Sequence, residues 1–173
     1  MKTLINDIIK RLGDARHCEP DPQPLFQHAD LDWGQVDFYE GWPPPVKFPA
    51  ALIGVIAAEP SNQGHNIQID VVQIQVRIID LILSGSGYRV PDEQREAAFR
   101  TFDLINAANS LLHGWTGSKH YGPLTRAGFK TVNRSDGLRE YRMEYKVQLT
   151  NNSAEKVFQL TTAKPVVKLV SGV

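Results

Sequence analysis

The chain has 173 residues, with 19 Lys plus Arg against 19 Asp plus Glu. That length suits one domain able to bury roughly 70% of its unfolded surface, and the zero formal charge argues against a dedicated nucleic-acid binder, which would carry a basic excess. The single cysteine, Cys18, excludes an intramolecular disulfide and fits a reducing compartment.

The N-terminus reads as helix. Leu4, Ile5, Ile8, Ile9 and Leu12 recur at helical spacing, and Gly13 ends the run. Asp7 and Lys10 stand where a signal peptide needs an apolar stretch, and no segment approaches the ~20 apolar residues of a membrane span, so a cytosolic chain is expected. Residues 14 to 29 read as loop, with Pro20, Pro22 and Pro24 at alternate positions. A short strand is expected at Gln35 to Tyr39. Trp42 to Val46, with three prolines, is an extended connector or edge, a stiff surface loop rather than a polyproline ligand.

From Pro49 to Ala58 the chain is apolar and reads as a buried strand. The polar stretch Glu59 to Gly64 is expected to be a loop that returns the chain antiparallel into the longest β signal, Asn66 to Ile78. There Ile67, Ile69 and Val71 share one parity while Ile74, Val76 and Ile78 share the other. The change implies a β-bulge, or a strand that buries one face early and the other late. Ser84 to Gly87 marks a flexible break.

A long amphipathic helix is expected from Asp92 to His113, opened by Pro91 and the acidic pair Asp92 and Glu93, and capped by Gly114. Ala98, Phe102, Ile105, Ala108 and Leu112 form its expected core stripe, with Phe99 flanking. Arg95, Glu96, Arg100 and Asp103 lie opposite. Leu124 to Val132 and Leu138 to Leu149 flank the turn signal Asp136-Gly137 and should pair as a hairpin. Tyr141, Met143, Tyr145 and Val147 alternate with charged and polar residues, so they are expected to face the long helix. The reading is an α+β domain over residues 1 to 150: a mostly antiparallel sheet packed on a long helix, with an N-terminal helix. Residues 151 to 173 form an extension whose apolar runs around Phe158 and Val167 suit an edge strand or an arm onto a neighbouring subunit.

No catalytic constellation emerges, and no residue is assigned a catalytic, cofactor-binding or metal-binding role. His17, His28, His65, His113 and His120 have no metal spacing and read as surface or loop histidines. His17-Cys18 adjacency does not orient a base. Ser84 to Gly87 lacks the lysine and length of a phosphate loop. Asp30 and Asp32 read as a solvated turn rather than a cation site. Trp115, Tyr121 and Phe129, near Lys119, Arg126 and Lys130, have the residue types of a base-stacking surface, which the neutral charge disfavours.

The order helix, proline-rich loop, buried strand, long strand, long helix and hairpin resembles that of the tail terminator and tail-completion proteins of long-tailed bacteriophages and prophages. The resemblance rests on Lys47-Phe48-Pro49-Ala50-Ala51-Leu52-Ile53, on the spine Ile67 to Ile78, and on the helix Asp92 to His113. Gly122-Pro123-Leu124-Thr125-Arg126 and Asp136 to Tyr145 complete it, so that it covers roughly residues 2 to 150. It is one of pattern and order, without a signature motif. It implies a non-enzymatic virion protein without a cofactor, forming a ring, commonly of six subunits, on the end of the tail tube. Such a ring stops tube growth and joins tail to head. The implied partners are further copies of the chain, the tail tube protein and a head-completion or connector protein, and the implied location is the virion tail, after assembly in the bacterial cytoplasm. A near-neutral surface suits a chain meant to assemble, and the apolar material near Trp42, Val46, Phe158 and Val167 suits an interface. Two other classes remain as alternatives: a small enzyme or ligand-binding domain with a pocket between sheet and long helix, and a single-strand binder using Trp115 and Tyr121.

Overall fold

The computed structural model describes residues 1–17, 22–37, 44–64 and 67–151, without the side chains of Gln63 and Gly64. The expectations that fall on Cys18, Phe38, Tyr39, Trp42, His65 and the segment 152–173 lie outside the described residues. The elements run α1 (Lys2–Gly13), β1 (His28–Leu31), β2 (Ala50–Gly64), β3 (Ile67–Leu81), α2 (Asp92–Leu112), β4 (Thr125–Val132) and β5 (Leu138–Asn151). One five-stranded sheet has the order β1-β2-β3-β5-β4, antiparallel except for the β1–β2 pair. The fold is α+β, as the sequence pattern predicts.

The core forms because the alternations of neighbouring strands agree in register. Val72, Ile74, Val76 and Ile78 of β3 stand opposite Val147, Tyr145, Met143 and Tyr141 of β5. All eight are buried, and they point to one face. Leu4, Ile8 and Leu12 of α1 and Leu104, Ala108 and Leu112 of α2 cover that face and join the same cluster. Gly137, at φ +82°, supplies the left-handed turn residue that brings β4 back to β5.

The opposite face has a smaller cluster of its own. Val36 and Val46, from the loop between β1 and β2, cover Ala50, Leu52, Ile79 and Leu138. The sheet is therefore buried on both sides at this end, where the neighbours Ile78 and Ile79 of β3 are both buried on opposite faces. The β3–β5 register is unbroken, so β3 carries no bulge. Its apolar residues turn to the face away from the helices at Ile67, Ile69 and Val71, and to the helical face from Val72 onward. The bulge reading is thus excluded for β3, and of the other reading only the late half holds: Ile67, Ile69 and Val71 are half-buried, and full burial begins at Val72 on the helical face. Register shifts occur instead in β2, between Val55 and Ala57 and between Asn62 and Gly64.

Three local expectations need correction. The stretch Glu59–Gly64 is strand, with Glu59, Pro60, Ser61 and Asn62 opposite Val71, Asp70, Ile69 and Gln68. The long β3 offers a continuous ladder, and Pro60 is tolerated because β1 covers only the first residues of β2 and leaves its outer side open there. A short strand lies at His28–Leu31, partly within the stretch expected to be loop, and of the strand expected at Gln35 to Tyr39 the described residues 35–37 are turn. Gly34 at φ +89° and the Gln35 side chain, which accepts from the Trp33 amide and donates to the Leu31 carbonyl, make residues 33–37 a turn. Lastly, Phe102 is exposed, and Thr101 and Leu104 are buried in its stead. Ala98, Thr101, Ile105, Ala108 and Leu112 centre the buried stripe, and Phe102 falls on its flank.

Candidate functional site

The residues with the potential for chemistry are dispersed. His28 lies 3.8 Å from Asp30, and the His113 Nδ1 accepts the Arg126 amide at 3.2 Å. Among the described residues no group of three His, Cys, Asp or Glu is placed to hold a metal ion. Asp30 and Asp32 do not converge. Asp30 accepts the Leu31 amide, and Asp32 receives Arg77 at 3.0 and 3.2 Å. The Ser84–Gly87 segment leads into a turn in which the Val90 amide donates to the Gly87 carbonyl at 3.0 Å. An open groove of about 540 Å³ between the end of α1 and α2 has Arg16, His17 and Asp103 among its lining residues, together with Arg100, which Asp80 holds.

Nor do the three aromatic residues of the expected stacking surface form one platform. Trp115 meets Tyr121 edge-on at 6.3 Å and carries Arg11 over its ring at 4.7 Å. The Tyr121 hydroxyl donates to Asp7 at 2.8 Å. Phe129 stacks on Tyr141 instead, at 5.7 Å.

The strongest electrostatic feature is a network that sequence spacing does not reveal. Arg77 on β3 donates to Glu140 through Nε and Nη2, both at 2.9 Å, and to Asp37 through Nη1 and Nη2 at 2.7 and 2.9 Å. Arg134 bridges Asp37, Asp136 and Glu140, and Arg142 donates to Glu140 at 2.6 Å. The Arg77 hydrogen bonds hold the Asp37 carboxyl near 2 against the opposing effect of burial, and Arg134 adds to them. Burial alone would raise Glu140, but Arg77, Arg142 and Arg134 together keep it below its usual value. These charges pin the 32–37 turn beneath the sheet. With Asp32, Asp37, Asp136 and Glu140 each held by a guanidinium, the cluster is a structural clamp and leaves no poised acid or base.

The surface carries a second pattern, in apolar side chains. Ten large apolar residues are exposed among the described residues, and seven of them gather into two groups. On the α2–β4 side, Phe99, Phe102 and Phe129 are 39% to 44% exposed. Phe99 meets Phe102 at 6.2 Å, Phe102 meets Tyr141 at 5.5 Å, and Phe129 stacks on the same Tyr141. Tyr141 thus links two half-exposed elements into one aromatic patch, with Arg126 lying over Phe129 at 5.3 Å. On the β1–β2 side, Leu31, Trp33, Val55 and Ile56 are 43% to 64% exposed. The Asp32 amide donates to the Ile53 carbonyl, so the end of β1 abuts the point where β2 loses its outer neighbour. Given the strand order, the two groups occupy opposite edges of the sheet. Exposed phenylalanines in mutual contact are the usual material of an interface core. Helical spacing places Phe99 on the flank and Phe102 in the core stripe, and Leu31, Trp33 and Ile56 have no local pattern that marks an edge.

No family model matches the chain, and no curated protein matches its sequence. Among solved structures, it is similar to a chain from the virion of a native gene transfer agent particle. Identity is 12% and the TM-score 0.40, with 62% of this chain and 75% of that chain covered. A likeness of that size does not assign a role.

Proposed function

We propose that this chain is a structural virion protein of the phage tail, a tail terminator that closes the end of the tail tube as a ring and presents a surface to the head. The observation that carries the reading is the distribution of exposed apolar side chains into two unlike groups on opposite edges of one sheet. A ring needs a heterologous contact, in which one patch meets a different patch on the next copy. A single sheet with an apolar group at each end supplies both halves of such a contact. The order of elements, which resembles that of tail terminators, points the same way. On this reading the chain is not an enzyme and needs no cofactor. Its partners are further copies of itself, the tail tube protein and a head-completion protein, and it works in the virion tail after assembly in the bacterial cytoplasm.

The test is genetic and direct. Deleting the gene from a phage or prophage that carries it should give tails of uncontrolled length that fail to join heads, and supplying the chain in trans should restore tail length. Tails of normal length joined to filled heads in the deletion would sink the proposal. Electron microscopy of the purified chain should show closed rings.

A further inference from the structure

We propose that the Phe99–Phe102–Phe129 cluster of one copy seats on the β1–β2 edge of the next, where Trp33, Val55 and Ile56 receive the rings. This rests on the ring reading and names the contact that would build it.

Three observations select this occupant. First, the cluster is assembled from two elements around Tyr141, which is itself buried, so the rings are held in place before any partner arrives. Anchors of that kind lose little freedom on docking. Second, the receiving edge is open and apolar. β1 pairs with β2 only from Ala50 to Ile53, and the exposed Val55 and Ile56 follow at once. An uncovered edge of this sort invites association. Third, the charge beside Phe129 complements that of the receiving edge. The strand β4 bears Arg126 and Lys130 and no acid, whereas β1 and the exposed part of β2 bear Asp30 and Glu59, with His28 their one basic residue. Lys130 is shared with Glu144 at 3.3 Å, which leaves Arg126 as the cation beside Phe129. A two-fold contact of the aromatic patch with itself would bring Arg126 against Arg126, an unfavourable juxtaposition.

The contact can be read by directed cross-linking in the full chain. In a Cys18→Ser background, Phe129→Cys and Val55→Cys variants are prepared separately, mixed and oxidised. A disulfide-linked dimer should form in the mixture and not in either variant alone. Phe102→Ala with Phe129→Ala should raise the concentration of half-assembly at least about tenfold, since truncating central aromatic anchors has effects of that size. Arg126→Glu should weaken assembly, and Glu59→Arg in the same chain should restore part of it. Both Phe positions are half exposed, so circular dichroism and thermal melting should show the variants folded. Self-linking of the Phe129→Cys variant would overturn the proposal in favour of a two-fold contact. Rings that persist unchanged in the double alanine variant would overturn this contact while leaving the ring reading intact. A native chain that stays monomeric at every concentration would overturn both.

Discussion

Arg77 stands opposite Arg142 in the β3–β5 register, yet its guanidinium reaches diagonally to Glu140 and meets it with two parallel hydrogen bonds of 2.9 Å. Both side chains point away from the helices, to the side that a half-exposed strand would leave in water. They are buried because the turn 32–37 covers them, and Asp32 and Asp37 of that turn occupy the remaining guanidinium donors. A turn without strand pairing is thereby fastened to the centre of the sheet.

Replacing Arg77 by Met should destabilise the domain by about 3 to 5 kcal/mol, because the buried Glu140 and its neighbours lose their main cation. Changing Glu140 to Leu should cost less in that background than in the native chain, since its bonds to Arg77 are already lost and only those to Arg134 and Arg142 remain. Urea unfolding of the two single variants and the double variant measures the coupling. Additive single effects would show that Arg77 and Glu140 act independently.

The α2 correction gives a second test. Leu104 is fully buried, while Phe102 is half exposed on the flank of the helix. Leu104→Ala should cost about 2 to 5 kcal/mol, as deletions in closed cores do. Phe102→Ala should cost only about 1 kcal/mol, mainly through its contact with Tyr141. The opposite ranking in chemical denaturation would restore Phe102 to the core.

These residues also show how far the sequence could be read. The stripe Leu4, Ile8 and Leu12 and the alternation Tyr141, Met143, Tyr145 and Val147 depend on local periodicity, and each lies on the face that its period predicts. The clamp around Arg77 has no such signature, because its partners Asp37, Asp32 and Glu140 are 40, 45 and 63 residues away. The polar run Glu59–Gly64 misleads for a related reason. Its residues are strand only because β3 lies beside them, so tertiary pairing overrides weak intrinsic preference. The same holds for His28–Leu31, which is strand only through its pairing with the start of β2.

Gly117 offers a third test, through packing and not conformation. A Cβ added there would overlap the Tyr121 hydroxyl and lie 2.6 Å from the Trp115 ring. Both belong to the small assembly in which Arg11 covers Trp115 and Tyr121 bonds Asp7, so it fixes α1 to the segment after α2. Gly117→Ala should destabilise by about 1 to 3 kcal/mol, the usual cost of overpacking. It should also shift the tryptophan fluorescence as the Trp115 ring is displaced. An unchanged spectrum and melting temperature would show that the segment yields freely.

The pH dependence of stability should have two limbs of opposite sign. Asp37, Glu140 and Asp136 are all held below their usual carboxylate values, Asp37 to about 2 by Arg77 and Asp136 by Arg134. Each contributes stability that is present above the unfolded-state value and is lost as pH falls through the folded one. Asp80 behaves in the opposite way. It is fully buried, and burial raises its pKa although Arg100 partly offsets the effect with bonds of 2.7 to 3.0 Å. The folded chain therefore takes up a proton at Asp80 before the unfolded chain does, and acidification first favours the fold. The urea midpoint should hold or rise slightly as acidification begins, while Asp80 takes up its proton, and then fall steeply as pH drops towards the Asp37 value of about 2. Asp80→Asn should remove the first limb and leave the second. Arg77→Met should flatten the second, because Asp37 and Glu140 would then titrate nearer their usual values. A midpoint that falls steadily from neutrality, in the native chain and in Asp80→Asn alike, would show that Asp80 does not titrate in this way.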